Sequence, residues 1–256
     1  MPEPQPHKHV LITGASSGIG EALAKAYAAP EVILTLSGRD PERLETVVKS
    51  CHDAGAEVHA VVIDVTDRTS MENWIKGADQ GVPLDLVFAN AGISGGTARD
   101  GEDEMQAREI FSVNLDGVLN TVWPAIHAMR PRKQGQLAIL SSIAGFRGMP
   151  GAPAYSASKA AVLNYGDALR GMLADDGITV SVICPGYVVS RMTDANKFPM
   201  PFLMSAVKAA GIIKRRLARG KARIVFPWPM LWIVRTLQAL PVAFTDPLLA
   251  RLPKKD

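Results

Sequence analysis

Tyr155 and Lys159 stand four residues apart in YSASK (155–159), with only Ser156, Ala157 and Ser158 between them. Positions i and i+4 of a helix share a face, so a phenol and an ammonium would point the same way. A free phenol ionises near pH 10, too high for proton transfer at neutral pH, and a neighbouring ammonium favours the phenolate. Such a pair can give or take a proton, and the small residues between leave room for a ligand. The same spacing alone also makes an ordinary polar helix face. Other stretches shift that balance. ILSSIAG (139–145) reads as a strand ending in hydroxyls, with Ser142 thirteen positions before Tyr155 and Ser141 as the alternative hydroxyl. VNLDG (113–117) sets Asn114, a mediocre helix former, in a helical segment, with a satisfied buried amide as the alternative reading. FANAG (88–92) ends another apolar run with Asn90, Ala91 and Gly92. His7, His9, His52, His59 and His127 form no ligand cluster, so no metal is expected.

HVLITGASSGIGEALAKAY (9–27) reads as strand, glycine turn and helix, with Gly14, Gly18 and Gly20 in the turn. A tight turn needs glycine, a phosphate approaching the backbone needs no Cβ in its way, and the helix N-terminus offers free N–H groups. A plain connection with flexible glycines is the alternative. An NAD site places an acidic residue at the end of the second strand, on the ribose 2′-hydroxyl. Here that strand ends LTLSGRD, with Gly38 in the acidic position and Arg39 next. A guanidinium pairs with a 2′-phosphate through two hydrogen bonds, and Ser16 and Ser17 add hydroxyls, so the expected cofactor is NADP(H) rather than NAD(H). A solvated loop arginine is the alternative. Asp40, in DPER, could mimic the NAD carboxylate, but it reads as a helix cap followed by proline in the first helical position.

These pieces need a scaffold that brings strand ends together. Candidate strands lie at 9–13, 32–37, 57–63, 84–89, 136–141, 179–184 and 223–226, with helical periodicity between them. That alternation predicts βαβ units and a doubly wound parallel sheet with helices on both faces, in a single domain spanning 1–256. Residues 1–8, polar and proline-rich, are expected to be flexible. Of the 256 residues 47% are hydrophobic and 21% charged, which excludes a disordered chain; a net charge of +3 is too small to imply a nucleic-acid partner. Cys51 and Cys184 form no CxxC and suit a reducing compartment, and no signal-peptide core follows the first ten residues, so the expected location is the cytoplasm.

Together, TGASSGIG, NAG, VNLDG, the ILSS serine, YSASK and the CPG turn resemble the short-chain dehydrogenase/reductase (SDR) family in order and spacing, over residues 8–225. The resemblance implies a Rossmann-like sheet of seven parallel strands and a homodimer or homotetramer. It implies Asn114, Ser142, Tyr155 and Lys159 as a catalytic tetrad. Tyr155 would exchange a proton with the substrate oxygen, and Ser142 would hydrogen-bond that oxygen. Lys159 would lower the phenol's pKa and hold the nicotinamide ribose, and Asn114 would hold a relay water. For the cofactor it implies Gly14, Ser16, Ser17, Gly18, Ile19 and Gly20 at the phosphates, and Asp64 and Val65 at the adenine. Asn90, Ala91 and Gly92 would lie along the adenosine, and Pro185, Gly186, Val188 and Ser190 near the nicotinamide. Ser190 departs from the family's usual threonine but keeps the hydroxyl.

The resemblance makes residues 187–220 a cap over the substrate. The cap carries Tyr187, Met192, Phe198, Met200, Phe202 and Met204, and the loop before Tyr155 adds Phe146, Met149 and Pro150. Such a lining suits a hydrophobic carbonyl compound, such as a 3-oxoacyl or lipid ketone, or is ordinary lid packing. Arg147 and Arg191 are the candidates to meet a carboxylate. Residues 227–256 form an apolar tail: from Ile224 to Thr245 only Arg235 is charged, with Trp228, Trp232 and Phe244 interleaved. Pro227, Pro229 and Pro241 leave it too broken for a membrane span, which needs about 20 apolar residues. It packs on a second subunit or over the pocket, or it lies peripherally in a membrane interface with KRRLARGKAR (214–223) drawn to anionic lipid. The expected activity is NADP(H)-dependent hydride transfer between nicotinamide and a ketone or secondary alcohol. The rivals are a dinucleotide-sensing binding protein and a membrane-surface member of the fold.

Overall fold

The computed structural model describes residues 7–95, 102–194 and 198–250. Most of the N-terminal stretch expected to be flexible, residues 195–197 of the cap and residues 251–256 of the tail lie outside them. Seven strands form, each within about two residues of its expected place: β1 His9–Ile12, β2 Ile33–Gly38, β3 Glu57–Val62, β4 Leu86–Ala89, β5 Gly135–Leu140, β6 Ile178–Pro185 and β7 Arg223–Phe226. They make one parallel sheet in the order β3-β2-β1-β4-β5-β6-β7. The order reverses between β1 and β4, and ligands of doubly wound sheets bind at the carboxyl edge beside such a reversal.

The helices are α1 Gly18–Tyr27, α2 Pro41–Asp53, α3 Arg68–Gly81, α4 Glu104–Phe111, α5 Gly117–Met129, α6 Pro153–Met172, α7 Arg191–Asp194, α8 Ala206–Leu217, α9 Trp228–Ala239 and α10 Val242–Leu249. All four residues of β1 and of β4 are buried, which is why β4 and residues 10–12 of β1 read as apolar runs, with His9 satisfied by Thr35 and the Val82 carbonyl. One core layer gathers Leu23, Leu34, Leu36, Ala209 and Ile213, packing α1 and α8 on the sheet. The other gathers Ile75, Val122, Ile126, Ile139 and Leu169 from α3, α5, β5 and α6. A third cluster joins Ile143, Phe146, Leu163 and Cys184 to Val234 of α9.

Local capping matches the sequence. The Asp40 side chain accepts from the Arg43 N–H at 3.0 Å and opens α2, with Pro41 in its first turn. Asp67 and Asp103 cap α3 and α4 in the same way. Between α4 and α5 the helix does not stop: residues Ser112–Asp116 form a π turn, so the chain runs helically from Glu104 to Met129. Such wide turns inside helices occur frequently at functional sites. Among the described residues, no helix is long and apolar enough to cross a membrane.

Candidate active site

The glycine turn is built by close approach. Gly14 has φ +67°, and a Cβ there would stand 2.9 Å from the Cα of Ala91. At Gly20 a Cβ would stand 2.2 Å from the Gly14 carbonyl oxygen, so any side chain would push the turn off the helix. Ile19 packs into the core beneath, and Ser17 precedes α1 without bonding its N–H groups through its side chain. Thr13 and Asn90 lock this turn to β4. The Asn90 amide donates to the Thr13 and Gly14 carbonyls at 2.8 and 3.2 Å, and the Thr13 hydroxyl accepts from the N–H groups of Asn90 and Ala91 at 3.0 and 3.2 Å. Asn90 therefore acts on the turn itself, beyond the lining role the sequence suggested.

At the end of β2, a Cβ on Gly38 would stand 2.9 Å from both Cβ and Oγ of Ser16. Arg39 is exposed and 3.8 Å from Asp64, a long surface pairing that leaves its guanidinium open to an anion. Asp64 folds back on its own loop, accepting from the N–H and the hydroxyl of Thr66. Val65 is buried against Gly117, and the Asn120 amide holds the carbonyls of Val65 and Thr66 at 2.9 and 3.3 Å.

Along the carboxyl edge stand the four residues expected to carry proton chemistry. Tyr155 lies in the first turn of α6 and Lys159 one turn on, with its ammonium 5.8 Å from the centre of the phenol ring. Burial holds the phenol pKa above its ordinary value; the Ser142 hydroxyl offsets only part of that rise, and the lowering by Lys159 expected from the sequence does not prevail. Lys159 is 4% exposed, and burial pushes its pKa down to about 8. Its ammonium donates to the Leu140 carbonyl at 2.9 Å, at the end of β5. The two serines separate cleanly. Ser141 donates to the Lys159 carbonyl at 2.7 Å and is occupied by helix docking, whereas Ser142 faces Tyr155. Asn114, fully buried in the π turn, receives the Ile93 N–H at 2.8 Å and donates to the Ile93 carbonyl and the Ser158 hydroxyl, both at 3.0 Å. A Cβ on Gly92 would meet Asn114 Oδ1 at 3.1 Å and Lys159 Nζ at 3.2 Å, so glycine is what lets these two groups share the space.

The far wall comes from β6 and the tail. Ser142 donates to the Pro185 carbonyl at 3.4 Å. The Gly186 N–H binds the Phe226 carbonyl at 2.7 Å, and a Cβ on Gly186 would stand 2.8 Å from Met230 Sδ of α9. Ser190 lies over the glycine turn, 3.0 Å from where a Cβ of Gly18 would stand. Val188 is buried and bridges to Met204. Tyr187 packs edge-on against Phe198, with ring centres 6.2 Å apart. Arg147 pairs with Asp246 at 2.6 Å and donates to Thr245 at 3.0 Å, tying α10 to the loop before Tyr155, so it is engaged with the tail; Arg191 is exposed.

The family model for short chain dehydrogenase matches residues 8–199. The chain belongs to that family. An uncharacterized oxidoreductase of Myxococcus xanthus is 37% identical over 247 residues, covering 96% of this chain and 98% of that one. The 3-oxoacyl-acyl-carrier-protein reductase FabG of Staphylococcus aureus is 34% identical over 191 residues, covering 73% and 77%. A short chain dehydrogenase/reductase from Burkholderia phymatum, solved in complex with NAD, superposes with a TM-score of 0.83 at 25% identity, covering 100% of this chain and 99% of that one.

This SDR is an oxidoreductase acting on alcohol or carbonyl groups with a pyridine nucleotide. The cradle fits that group: a turn stripped of Cβ atoms at Gly14 and Gly20, with the Tyr155–Lys159 pair at the same sheet edge. Thr13, Asn120 and Ser158 escaped the sequence reading, because each acts through a hydrogen bond to a residue more than forty positions away.

Proposed function

We propose that this SDR is an NADP(H)-dependent reductase or dehydrogenase of a hydrophobic ketone or secondary alcohol, with Asn114, Ser142, Tyr155 and Lys159 as its tetrad. The observation that carries the reading is the Tyr155 phenol beside the Ser142 hydroxyl, with the Lys159 ammonium 5.8 Å from its ring, at the edge of the glycine cradle. The nicotinamide supplies or accepts the hydride. In reduction, Ser142 donates a hydrogen bond to the carbonyl oxygen, and Tyr155 delivers a proton to that oxygen as negative charge develops on it. The Lys159 ammonium stabilises the phenolate left behind. The Asn114 side chain is engaged with Ile93 and Ser158, so its backbone carbonyl in the wide turn is the group to hold a relay water.

Three features support NADP(H): Gly38 in place of a carboxylate, Ser16 filling the space beside it, and the open guanidinium of Arg39. The similarity to a 3-oxoacyl-acyl-carrier-protein reductase and the Tyr187–Phe198–Met204 side of the site favour 3-oxoacyl or other lipid ketones. For the exposed face of α9 we favour a second subunit, in a homodimer or homotetramer. The basic run 214–223 ends where β7 begins, and α9 leaves from the other end, so about 13 Å of strand separates those cations from Trp228. Two buried free cysteines fit a cytoplasmic enzyme.

The test follows reduced-nicotinamide absorbance, with NADPH and NADH in parallel, across medium-chain ketones, 3-oxoacyl thioesters, steroid ketones and sugar ketones. Oxidation of NADPH by one class, abolished in Tyr155→Phe, is the expected result. Full activity in Tyr155→Phe would overturn the proton assignment.

A further inference from the structure

Helix α6 carries Tyr155 and Lys159, yet its own N-terminus has no side-chain cap. Ala152 stands at the capping position and Pro153 follows, so the first free N–H groups belong to Ala154 and Tyr155. Capping side chains normally accept from the second or third residue of a helix, and alanine has no atom to do so. The missing acceptor arrives from another element. Glu102 Oε1 accepts from the Ala154 N–H at 3.0 Å, across 52 residues of sequence. The Ser156 N–H already binds the Ala152 carbonyl at 2.9 Å. Glu102 therefore supplies what the local sequence leaves out of the turn that holds the catalytic phenol.

The residues around Glu102 divide the work. In EDE (102–104), Asp103 accepts from the Gln106 N–H at 2.7 Å and caps its own helix α4, and Glu104 pairs with Arg108 at 2.8 Å on the helix surface. Glu102 alone turns to α6. A carboxylate at this place also meets the positive end of the α6 dipole, which favours an acidic residue over a neutral acceptor by a modest margin. The link from β4 to α4 is thus fastened to both halves of the tetrad. Asn114 holds Ile93 near its start, and Glu102 holds Ala154 near its end.

We propose that Glu102 is a positioning residue for this reaction, a remote cap that fixes the first turn of α6 and with it the Tyr155 phenol against Ser142. This rests on the reading of Tyr155 as the proton carrier. It predicts that Glu102 acts through an acceptor oxygen more than through charge.

The test compares Glu102→Ala and Glu102→Gln in the full chain, by steady-state kinetics with the best ketone and by amide hydrogen exchange over residues 154–158. Loss of a cap corresponds to roughly a three- to thirtyfold change in an equilibrium. Glu102→Ala should lower kcat by about that factor with little change in KM for the cofactor, and should speed exchange at Ala154 and Tyr155 similarly. Glu102→Gln keeps an acceptor oxygen and should retain most of both. Parental kcat and exchange in Glu102→Ala would overturn the proposal, as would a glutamine variant as impaired as the alanine one. The exchange readout needs no turnover, so it judges the cap even if Tyr155→Phe shows the proton assignment to be wrong.

Discussion

Replacing Lys159 with methionine should lower activity about a hundredfold and stabilise the protein. Burial pushes the Lys159 pKa from 10.5 down to about 8, so the folded chain holds an ammonium in a place that disfavours its charge. That difference corresponds to about 3 kcal/mol of cost at neutral pH. Methionine is similar in length and removes that cost. It also takes away the donor to the Leu140 carbonyl, a loss of about 1 kcal/mol. The net expectation is a gain of about 2 kcal/mol in the cofactor-free protein, or about 4–8 °C in Tm for a chain of this length. The pH dependence identifies the cause. With a lowered folded pKa, the unfolded chain binds more protons between about pH 8 and 10.5, so the parent gains stability as pH rises through that window. The advantage of the variant should be full below pH 8 and fade towards pH 10.5. Catalysis should move the other way. A charge about 5.8 Å from the ring interacts with a phenolate by about 3 kcal/mol at an effective dielectric constant of 20, which is about a hundredfold in rate at neutral pH. Differential scanning calorimetry of the cofactor-free variant across pH 7–10.5, with kinetics alongside, reads both effects. A Tm below the parent's at pH 7, or a gap that does not close with pH, would refute the reasoning.

Arg39→Ala should weaken NADPH binding by about 10- to 100-fold and leave NADH nearly unchanged, measured by titration calorimetry; equal affinities would remove the support for NADP(H). Ser142→Ala should lower kcat by about two orders of magnitude and Tm by a few degrees, since the hydroxyl also accepts from the Ala144 N–H at 3.1 Å. Ser141→Ala should lower Tm by a similar amount, because it loses the 2.7 Å bond that docks α6 on β5, but should spare most of kcat. Trp228 and Trp232 are 71% and 64% exposed. Trp228→Glu with Trp232→Glu should yield a smaller assembly by light scattering, and the parent should sediment in a liposome flotation gradient; flotation with anionic vesicles would move the tail to a lipid surface.

What was legible in the sequence follows from local constraint. Strands covered on both faces had to be largely apolar, so 10–12 and 86–89 stood out. Gly14 and Gly20 were legible because backbone contact admits no other residue there. Tyr155 and Lys159 were legible because one helical turn brings them together without help from the fold. The choice of Ser142 over Ser141 came from its spacing to Tyr155 and the family resemblance; what the two hydroxyls bond was not legible, since neighbours in sequence point to opposite partners once β5 ends. Arg147 read as a substrate contact because its partner Asp246 lies 99 residues on. Glu102 sat in a short acidic run that looks like a solvated surface until α6 is folded against it.

The π turn at Ser112–Asp116 constrains length as well as shape. One residue removed from the helix between Glu104 and Asn114 would rotate everything beyond it by about 100° and shift it by about 1.5 Å. Asn114, Gly117 and Asn120 all make directed contacts within two turns of that point, to Ile93, Val65 and Thr66. A single deletion would unseat all three together, whereas a substitution at exposed Met105 or Leu119 would disturb none of them. This crossover can therefore drift freely in composition on its outer face while its number of residues stays frozen.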